Sequence, residues 1–548
     1  MRTEAEPGQT ASNDESKTDP TVDLVIVGAG FAGLYMLQRA RSLGLRAQVF
    51  EAGTGVGGTW YWNRYPGARC DVESMEYSYQ FSDDLQQQWQ WSERFAPQPE
   101  ILRYANHVAD RFDLRRDISF ETRVLSAHFD ASSARWRVMT DRGGAVSSQF
   151  VVMATGCLSS TNLPKFKGLD SFAGERYHTG TWPHEPVDFS GKRVAVIGTG
   201  SSAIQSIPVI AQQATELTVF QRTANFSIPA RNAPLDPAHE AAVKAEYPAF
   251  RARNSLMMTA FGGSTPRNEA PALAASPEER KRRFDERWTR GGLGFTGAFN
   301  DLMINQQAND LAAEYVRERI RAVVDDPATA ELLSPRQVIG CKRICADSGY
   351  YETFNQPHVK LVDISAGGIE EITPRGVKAG GREFEVDCIV FATGFDAMTG
   401  SLLKIDIRGR DGVALSEAWR AGPRTYLGLN VAGFPNLFTV SGPGSPSVLT
   451  NMIVSIEQHV NWITDCIVWM RAGGQRTIEA EPQAQDAWVG HVNAVAGATL
   501  FPTCNSWYLG ANVPGKTRVF MPLLGFPAYV QRCDEVVARG YEGFRVSA

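Results

Sequence analysis

The stretch VDLVIVGAGFAG, residues 22–33, decides the fold of this 548-residue chain. Its apolar first half predicts a buried β-strand, and the residues after it have the apolar periodicity of an α-helix. Gly28 permits a tight turn, Gly30 lets a pyrophosphate approach the backbone at the helix N-terminus, and Gly33 lets the helix pack closely on the strand. The stretch therefore predicts a dinucleotide-binding strand, turn and helix.

The residues after this helix complete the unit. Gly44 predicts the end of the helix, and a second strand, residues 46–50, finishes at Glu51. A carboxylate at this position accepts hydrogen bonds from the adenosine ribose of a bound dinucleotide. We interpret the site as one for FAD. The contacts expected from this unit are Gly28, Gly30, Phe31, Ala32, Gly33 and Glu51.

A second glycine loop occupies residues 191–203, GKRVAVIGTGSSA, where a strand again runs into a G-x-G-x-x-A turn and a helix. The strand that follows ends in Gln221, Arg222 and Thr223 rather than in an acid. An arginine with a hydroxyl suits a 2′-phosphate, which a carboxylate would repel. The sequence therefore predicts NADPH at the second site, and the alternative for Arg222 is a solvated surface charge.

The amino-acid composition indicates which classes of partner the chain is expected to bind. The formal net charge of -5 gives no electrostatic reason to expect nucleic acid or an anionic membrane, so small molecules are the predicted partners. Residues 1–21 are polar and have no apolar core of a secretion signal, which predicts a disordered tail and a cytoplasmic protein. Residues 425–456 carry no charge, but their glycines and prolines would break a membrane helix. A buried strand and an active-site loop are expected there.

The eight cysteines include no C-x-x-C pair, and neither they nor the eight histidines have the spacing of a metal site. Free thiols in a reducing compartment, and no metal, are predicted. A disulfide reductase with two dinucleotide sites is a rival interpretation. It would need a redox-active cysteine pair near the flavin, and the sequence shows no such pair.

Two further apolar stretches end in Ala-Thr-Gly, one at Gly156 and one that runs on to Asp396, and they predict the crossings between two nucleotide domains. The predicted fold class is α/β, with two Rossmann-like dinucleotide-binding domains, for FAD and NADPH, and a helical insertion. The expected boundaries are a tail at 1–21, an FAD domain at 22–150 and 390–548, an NADPH domain at 151–227 and 335–389, and a helical subdomain at 228–334. The oligomeric state stays open between monomer and homodimer.

Between the two glycine loops lies FAGERYHTGTWP, residues 172–183. Its Phe172, Gly174, His178, Trp182 and Pro183 match the signature F-x-G-x-x-x-H-x-x-x-W-[PD], so the chain resembles the Baeyer-Villiger monooxygenases. Related flavin monooxygenases that oxygenate nitrogen or sulfur generally lack the Trp-Pro ending. The alternative for these residues is core packing and a turn.

The resemblance implies an enzyme that uses NADPH and O2 to insert oxygen beside a ketone carbonyl, through a flavin peroxide, and that retains NADP+ during the cycle. Aryl, cyclic or steroid-type ketones are the expected substrates, and esters or lactones the products. His178 is expected to couple domain movement rather than to do chemistry. The rivals are a flavin monooxygenase that oxygenates nitrogen or sulfur and a flavin-binding redox sensor without turnover.

Site residues follow from the resemblance, on the matching segments 57–71, 341–343 and 442–452. Arg343 is the implied catalytic arginine and Asp71 its carboxylate partner; the alternative is a structural ion pair. Further implied FAD contacts are Gly58, Thr59, Trp60, Tyr61, Trp62, Asp71, Tyr77, Val124 and Met452. NADPH contacts are Arg69, Asp71, Gly198, Thr199, Gly200, Ser201, Ser202, Gln205, Arg222, Thr223, Lys342, Arg343 and Trp507. Substrate contacts are Leu158, Ser447, Val448, Leu449, Thr450 and Met452.

The chain also departs from the family pattern. Cys157, Val448 and Thr450 stand where near relatives often carry other residues. The substrate preference of a relative therefore does not transfer to this chain.

Overall fold

The computed structural model describes residues 19–548, so most of the expected N-terminal tail lies outside the described residues. The helices in chain order are α1 (Phe31–Ser42), α2 (Thr59–Trp62), α3 (Asp83–Gln88), α4 (Gln98–Arg111), α5 (Ser201–Ala211), α6 (Pro237–Ala245), α7 (Tyr247–Ser255), α8 (Pro277–Arg290), α9 (Gln306–Val323), α10 (Pro327–Leu333), α11 (Gly400–Leu403), α12 (Leu415–Ala418), α13 (Met452–Ala472), α14 (Pro482–Gly497) and α15 (Phe526–Ala538).

The strands are β1 (Thr21–Val27), β2 (Ala47–Phe50), β3 (Ile118–Ser119), β4 (Val124–Asp130), β5 (Arg135–Thr140), β6 (Ala145–Met153), β7 (Glu175–His178), β8 (Arg193–Ile197), β9 (Glu216–Gln221), β10 (Ser227–Pro229), β11 (Cys345–Asp347), β12 (Val359–Asp363), β13 (Glu371–Thr373), β14 (Gly376–Ala379), β15 (Arg382–Glu385), β16 (Cys388–Phe391), β17 (Asp406–Arg408), β18 (Leu437–Thr439), β19 (Thr477–Ala480) and β20 (Phe544–Ser547). β1 begins at Thr21, inside the segment that was expected to be a tail.

The first glycine loop lies at the centre of an eight-stranded sheet. Its order is β17-β4-β5-β6-β1-β2-β3, and β18 also pairs with β6. β1 lies parallel to both β2 and β6, and it leads through Gly28 into α1. Gly28 has a φ of +105°, and a Cβ there would lie 2.7 Å from the carbonyl oxygen of Ala154. Only glycine fits this turn, as the sequence predicts.

A second sheet has the order β12-β9-β8-β16-β7, and all its pairs are parallel. β8 leads into the second glycine loop and then into α5. The prediction of an α/β fold with two Rossmann-like dinucleotide-binding units is confirmed, although the first sheet also contains the antiparallel pairs β4–β5 and β5–β6. β6 extends to Met153, three residues past the boundary expected at residue 150, because it pairs with β1 as far as Val27. The domain boundaries themselves stay predictions.

The stretch expected to be helical contains α6 to α10. Ser276 caps α8, since its hydroxyl accepts a hydrogen bond from the backbone N–H of Glu279. Residues 425–456 contain the buried strand β18 and a loop that reaches α13, as predicted. In the part of the chain that the structure describes, no helix has both the length and the apolar character needed to cross a membrane.

The prediction that all eight cysteines are free thiols is wrong for two of them. Cys341 and Cys504 form a disulfide, with Cα atoms 5.8 Å apart and a sequence separation of 163 residues. The other six are buried free thiols. The sequence does not predict this pair, because only the fold brings the two cysteines together. Their spacing along the chain matches no known cysteine motif.

Candidate active site

One cavity of about 1040 Å³ opens where the strands of the two nucleotide sheets end. It is lined by the glycine loops after β1 and β8 and by the Ala-Thr-Gly segments after β6 and β16. Ligands of open α/β sheets bind at such strand ends. The predicted site residues that line it are Gly28, Gly30, Phe31, Ala32, Glu51, Gly58, Thr59, Trp60, Trp62, Arg69, Asp71, Tyr77, Val124, Leu158, Gly198, Thr199, Gly200, Ser201, Ser202, Gln205, Arg222, Thr223, Lys342, Arg343, Val448, Thr450, Met452 and Trp507.

Four predicted contact residues do not line the cavity: Gly33, Tyr61, Ser447 and Leu449. A Cβ on Gly33 would lie 1.9 Å from the carbonyl oxygen of Gly28, so this glycine serves helix packing. The hydroxyl of Tyr61 faces the other way and accepts a hydrogen bond from the backbone N–H of Thr54 at 2.9 Å. Ser447 is fully buried, and Leu449 packs on the apolar cluster behind the wall.

The flavin side of the cavity has the shape that a pyrophosphate requires. A Cβ on Gly30 would lie 3.3 Å from the Cα of Gly58, and a Cβ on Gly58 would lie 2.9 Å from the Cα of Gly30. Because both glycines line the cavity, their missing side chains keep a narrow channel open. Ser160 also lines the cavity, and its buried hydroxyl has no hydrogen-bond partner among the described residues. A bound dinucleotide would supply that partner, so the residues present fit FAD.

Glu51 holds the first glycine loop together. Its Oε2 accepts a hydrogen bond from the backbone N–H of Ala29, and its Oε1 accepts one from that of Gly53, both at 2.7 Å. Only 5% of the residue is exposed, and burial raises the pKa of its carboxyl. Glu51 therefore shapes the loop while it lines the cavity, a role that the predicted ribose contact did not include.

Arg222 and Lys342 form a positively charged corner on the other side of the cavity. Burial lowers the pKa of Lys342, and the nearby charge of Arg222 lowers it further. Neither residue lies within salt-bridge distance of a carboxylate among residues 19–548. Two neighbouring cations without a carboxylate are suited to a phosphate. Arg222 is exposed at the rim, so it is a surface charge that also faces the cavity.

Arg343 and Asp71 form a two-point ion pair at the centre of the cavity. Arg343 donates from Nε to Oδ2 of Asp71 at 2.5 Å and from Nη2 to Oδ1 at 2.8 Å. Its Nη1 donates to the carbonyl oxygen of Val448 at 2.8 Å. Burial opposes the charged form of Arg343, but the Asp71 carboxylate outweighs it and raises the pKa of the guanidinium. Three of its five N–H groups are engaged in these hydrogen bonds, and the residue lines the cavity.

The signature residues of segment 172–183 lie behind the cavity wall, and none of them lines it. Phe172 and Trp182 are buried in two different apolar clusters. Nδ1 of His178 accepts a hydrogen bond from the backbone N–H of Gly180 at 3.0 Å, and its Nε2 lies 3.3 Å from Oγ1 of Thr393. Burial lowers the pKa of His178. This placement agrees with a role outside the chemistry, and the predicted domain coupling stays a prediction.

Sequence reasoning missed Tyr508 and the backbone of Val448. The ring of Tyr508 lies 4.2 Å from that of Trp507, and burial raises the pKa of its hydroxyl to about 12 while the charge of Arg343 opposes the shift. Its position directly after Trp507 in SWYLGANVPGK is a signal that could have found it. No sequence signal predicts that the carbonyl of Val448 accepts from Arg343, because any residue type offers a carbonyl.

Comparison with known proteins places the chain in a family. The flavin-binding monooxygenase-like family model matches residues 22–232. A Baeyer-Villiger monooxygenase from Pseudooceanicola batsensis is 44% identical over 527 residues, which are 95% of both chains. A steroid monooxygenase solved with NADP is 54% identical, with a TM-score of 0.92 over 96% of this chain and 99% of that one. A closed cyclohexanone monooxygenase is 43% identical, with a TM-score of 0.95 over 97% of this chain and 100% of that one. The chain belongs to the Baeyer-Villiger monooxygenase family, whose members are flavoproteins that work with FAD and NADPH.

Proposed function

We propose that Arg343 and Asp71 are the catalytic pair with which this chain oxygenates a ketone to an ester or lactone. When bound, FAD supplies the activation of O2, and NADPH supplies the hydride. The observation that carries the proposal is the geometry of Arg343, which lines the cavity while Asp71 and the carbonyl of Val448 hold its guanidinium in place. A fixed guanidinium stabilises negative charge that develops beside it, and does so more strongly where water is excluded.

Asp71 determines where that positive charge lies. The two parallel hydrogen bonds fix the plane of the guanidinium, and the carbonyl of Val448 holds its third nitrogen. The side chains of Arg343 and Asp71 are only 23% and 21% exposed. An ion pair that existed for stability alone would not need to line the cavity with both partners. We therefore assign the pair to catalysis.

The ketone lies, in this proposal, against the side chains of Leu158, Val448, Met452 and Trp507, which line the cavity near Arg343. These side chains are apolar, as in sites for small apolar ligands. Aryl, cyclic or steroid-type ketones fit this chemistry, and the relatives named above are steroid and cyclohexanone monooxygenases. Thr450 and Cys157 add a hydroxyl and a thiol to the residues that line the cavity.

The remaining proposals concern the cellular location and the oligomeric state. We propose that the enzyme is cytoplasmic, because its positive corner at Arg222 and Lys342 is suited to NADPH, a cytosolic reductant. A monomer or a homodimer is proposed, and gel filtration with light scattering decides between them.

The test compares Arg343→Ala and Arg343→Lys with Arg420→Ala, a control at an exposed arginine outside the cavity. With a panel of ketones, ester formation is expected to fall at least about a hundredfold in Arg343→Ala, the size seen when a charge-stabilising donor is removed. FAD content is expected to be unchanged, and NADPH is expected to be consumed with release of hydrogen peroxide. Ester formation at the rate of the control would overturn the proposal.

A further inference from the structure

The Cys341–Cys504 disulfide joins two segments that both reach the cavity. Cys341 lies two residues before Arg343, and Cys504 lies three residues before Trp507. Both cysteines are buried, at 1% and 8% exposure, in the apolar cluster that also contains Val448 and Tyr508. The crosslink is therefore part of the wall behind the proposed ketone site.

The segment that carries Cys504 has little regular structure of its own. Between the end of α14 at Gly497 and the start of α15 at Phe526, it forms only the short 3-10 turns Phe501–Thr503 and Trp507–Leu509. Such long loops in a compact fold are commonly binding loops or lids. We call residues 498–525 the Trp507 loop.

Polar contacts fasten the outer half of the Trp507 loop, residues 512–525, to other segments. Asn512 donates to the carbonyl of Phe395 at 2.6 Å, and Lys516 forms an ion pair with Asp396 and donates to the carbonyl of Ala397 at 2.7 Å. These contacts lead to the second Ala-Thr-Gly crossing. Backbone hydrogen bonds of Met521 with Gly444 and of Leu523 with Ser445 lead to the loop before α13. The aromatic contact of Phe501 with Phe520, at 4.9 Å between ring centroids, joins the loop to itself.

The disulfide is a covalent link between the loop and the arginine segment, and the interaction of Tyr508 with Arg343 joins the same two segments. On that side Arg343 is held by Asp71 and by the carbonyl of Val448, both of which belong to other parts of the chain. A covalent bond between positions 341 and 504 fixes how far Trp507 lies from the guanidinium. Because catalysis depends on placement within about 1 Å, a tether at this point has a direct effect on the reacting geometry.

We propose that the Cys341–Cys504 disulfide is a positioning crosslink that holds the Trp507 loop against the arginine segment, and that its reduction loosens the ketone site. The proposal rests on the function assigned to Arg343. The reaction is balanced: a dithiol gives two electrons and two protons, the S–S bond breaks into two thiols, and the reductant closes its own disulfide. Hydrogen peroxide reverses the step, since two thiols and one peroxide give the disulfide and two waters.

The first test does not depend on activity. The holoenzyme, denatured without reductant, is alkylated and mapped by mass spectrometry. Six alkylated cysteines and one linked peptide pair, 341 with 504, are expected from the six free thiols and the one disulfide. Eight alkylated cysteines would overturn the proposal, whatever the outcome of the Arg343 variants.

The second test uses the double variant Cys341→Ala/Cys504→Ala, with Cys466→Ala as the control, a buried free thiol in α13 that does not line the cavity. The KM for the ketone is expected to rise about tenfold with a smaller change in kcat, and the KM for NADPH to stay constant. More NADPH should be consumed per ester formed, and amide exchange should quicken in residues 498–525. A lower melting temperature with unchanged KM and coupling would show a merely structural disulfide and would overturn the proposal.

Wild-type holoenzyme treated with dithiothreitol covers the case in which the double variant does not fold. Reduction, followed by thiol counting, is expected to reproduce the raised ketone KM, and stoichiometric hydrogen peroxide is expected to restore the original value. Reduced protein with the KM of the oxidised protein would contradict the crosslink's role. Failure of the Arg343 proposal is seen separately, as ester formation that persists in Arg343→Ala.

Discussion

The hydroxyl of Tyr65 donates a hydrogen bond to Oε1 of Gln205 at 2.8 Å. Gln205 lies in the second turn of α5, and its amide also donates to the carbonyl of Arg69 at 3.1 Å. The segment that leads to Asp71 is thereby fastened to the helix that follows the NADPH loop. The position of the Asp71 carboxylate therefore depends on the nucleotide half of the cavity.

Gln205→Ala should raise the KM for NADPH by about fivefold to tenfold, which corresponds to about 1 kcal/mol, because the segment of Arg69 is then less firmly held beside α5. FAD content should not change, since Gln205 lies outside the first glycine loop. Steady-state kinetics with Gln212→Ala, an exposed position at the end of the same helix, provides the control. Equal KM values for NADPH in the two variants would show that the hydrogen bonds of Gln205 do not affect NADPH binding.

Asp71→Asn should slow the reduction of the flavin by NADPH while leaving NADPH binding within about threefold. Asparagine keeps the size of the side chain but removes the charge that holds the guanidinium of Arg343. Anaerobic stopped-flow absorbance separates the binding constant from the reduction rate. A large loss of binding with a normal limiting rate would assign Asp71 to nucleotide affinity instead.

Arg222→Ala should raise the KM for NADPH at least about tenfold and leave that for NADH nearly constant, because only NADPH carries the phosphate that an arginine binds. Lys342→Ala should act in the same direction, since the two side chains share the positive corner. Arg420→Ala is the control. If the preference for NADPH survives in the Arg222 variant, another group reads the phosphate.

The contribution of Glu457 to stability should fall as pH rises from about 4.3 to about 7. Burial raises the pKa of Glu457 from its ordinary value to about 7, and the folded state therefore binds its proton more tightly than the unfolded state. Stability from this group is present at low pH and is lost between the unfolded pKa, about 4.3, and the folded value. Glu457→Gln keeps the acceptor for the backbone N–H groups of Gln80 and Phe81. Its melting temperature relative to wild type should rise at pH 8, and the difference should close toward pH 5.

The exposed Glu185→Gln variant serves as the control for that titration. A melting difference for Glu457→Gln that does not vary with pH would show that Glu457 is ionised alike in the folded and unfolded states. Buried Arg251, which packs in the same region, opposes the shift of the Glu457 pKa.

The parts of this molecule that the sequence predicts are those with a local signal. The turns at Gly28 and Gly198 could be predicted because a side chain at either position would collide with a carbonyl oxygen. The family resemblance predicted that Arg343 and Asp71 interact, although 272 positions separate them in sequence. The disulfide escaped prediction because its spacing is set by the fold alone. Ser447 was predicted to face the ligand, yet it is fully buried, since a sequence motif places a loop but not the direction of each side chain.

The eight-stranded sheet takes strands from both ends of the chain. β17 pairs with β4, and β18 pairs with β6, although the whole second sheet lies between them in sequence. During synthesis the N-terminal strands leave the ribosome long before their last partners exist. The first sheet must therefore wait, with residues 151–153 of β6 still without β18, while the second sheet is made, and premature release or truncation before residue 437 should leave a chain that aggregates.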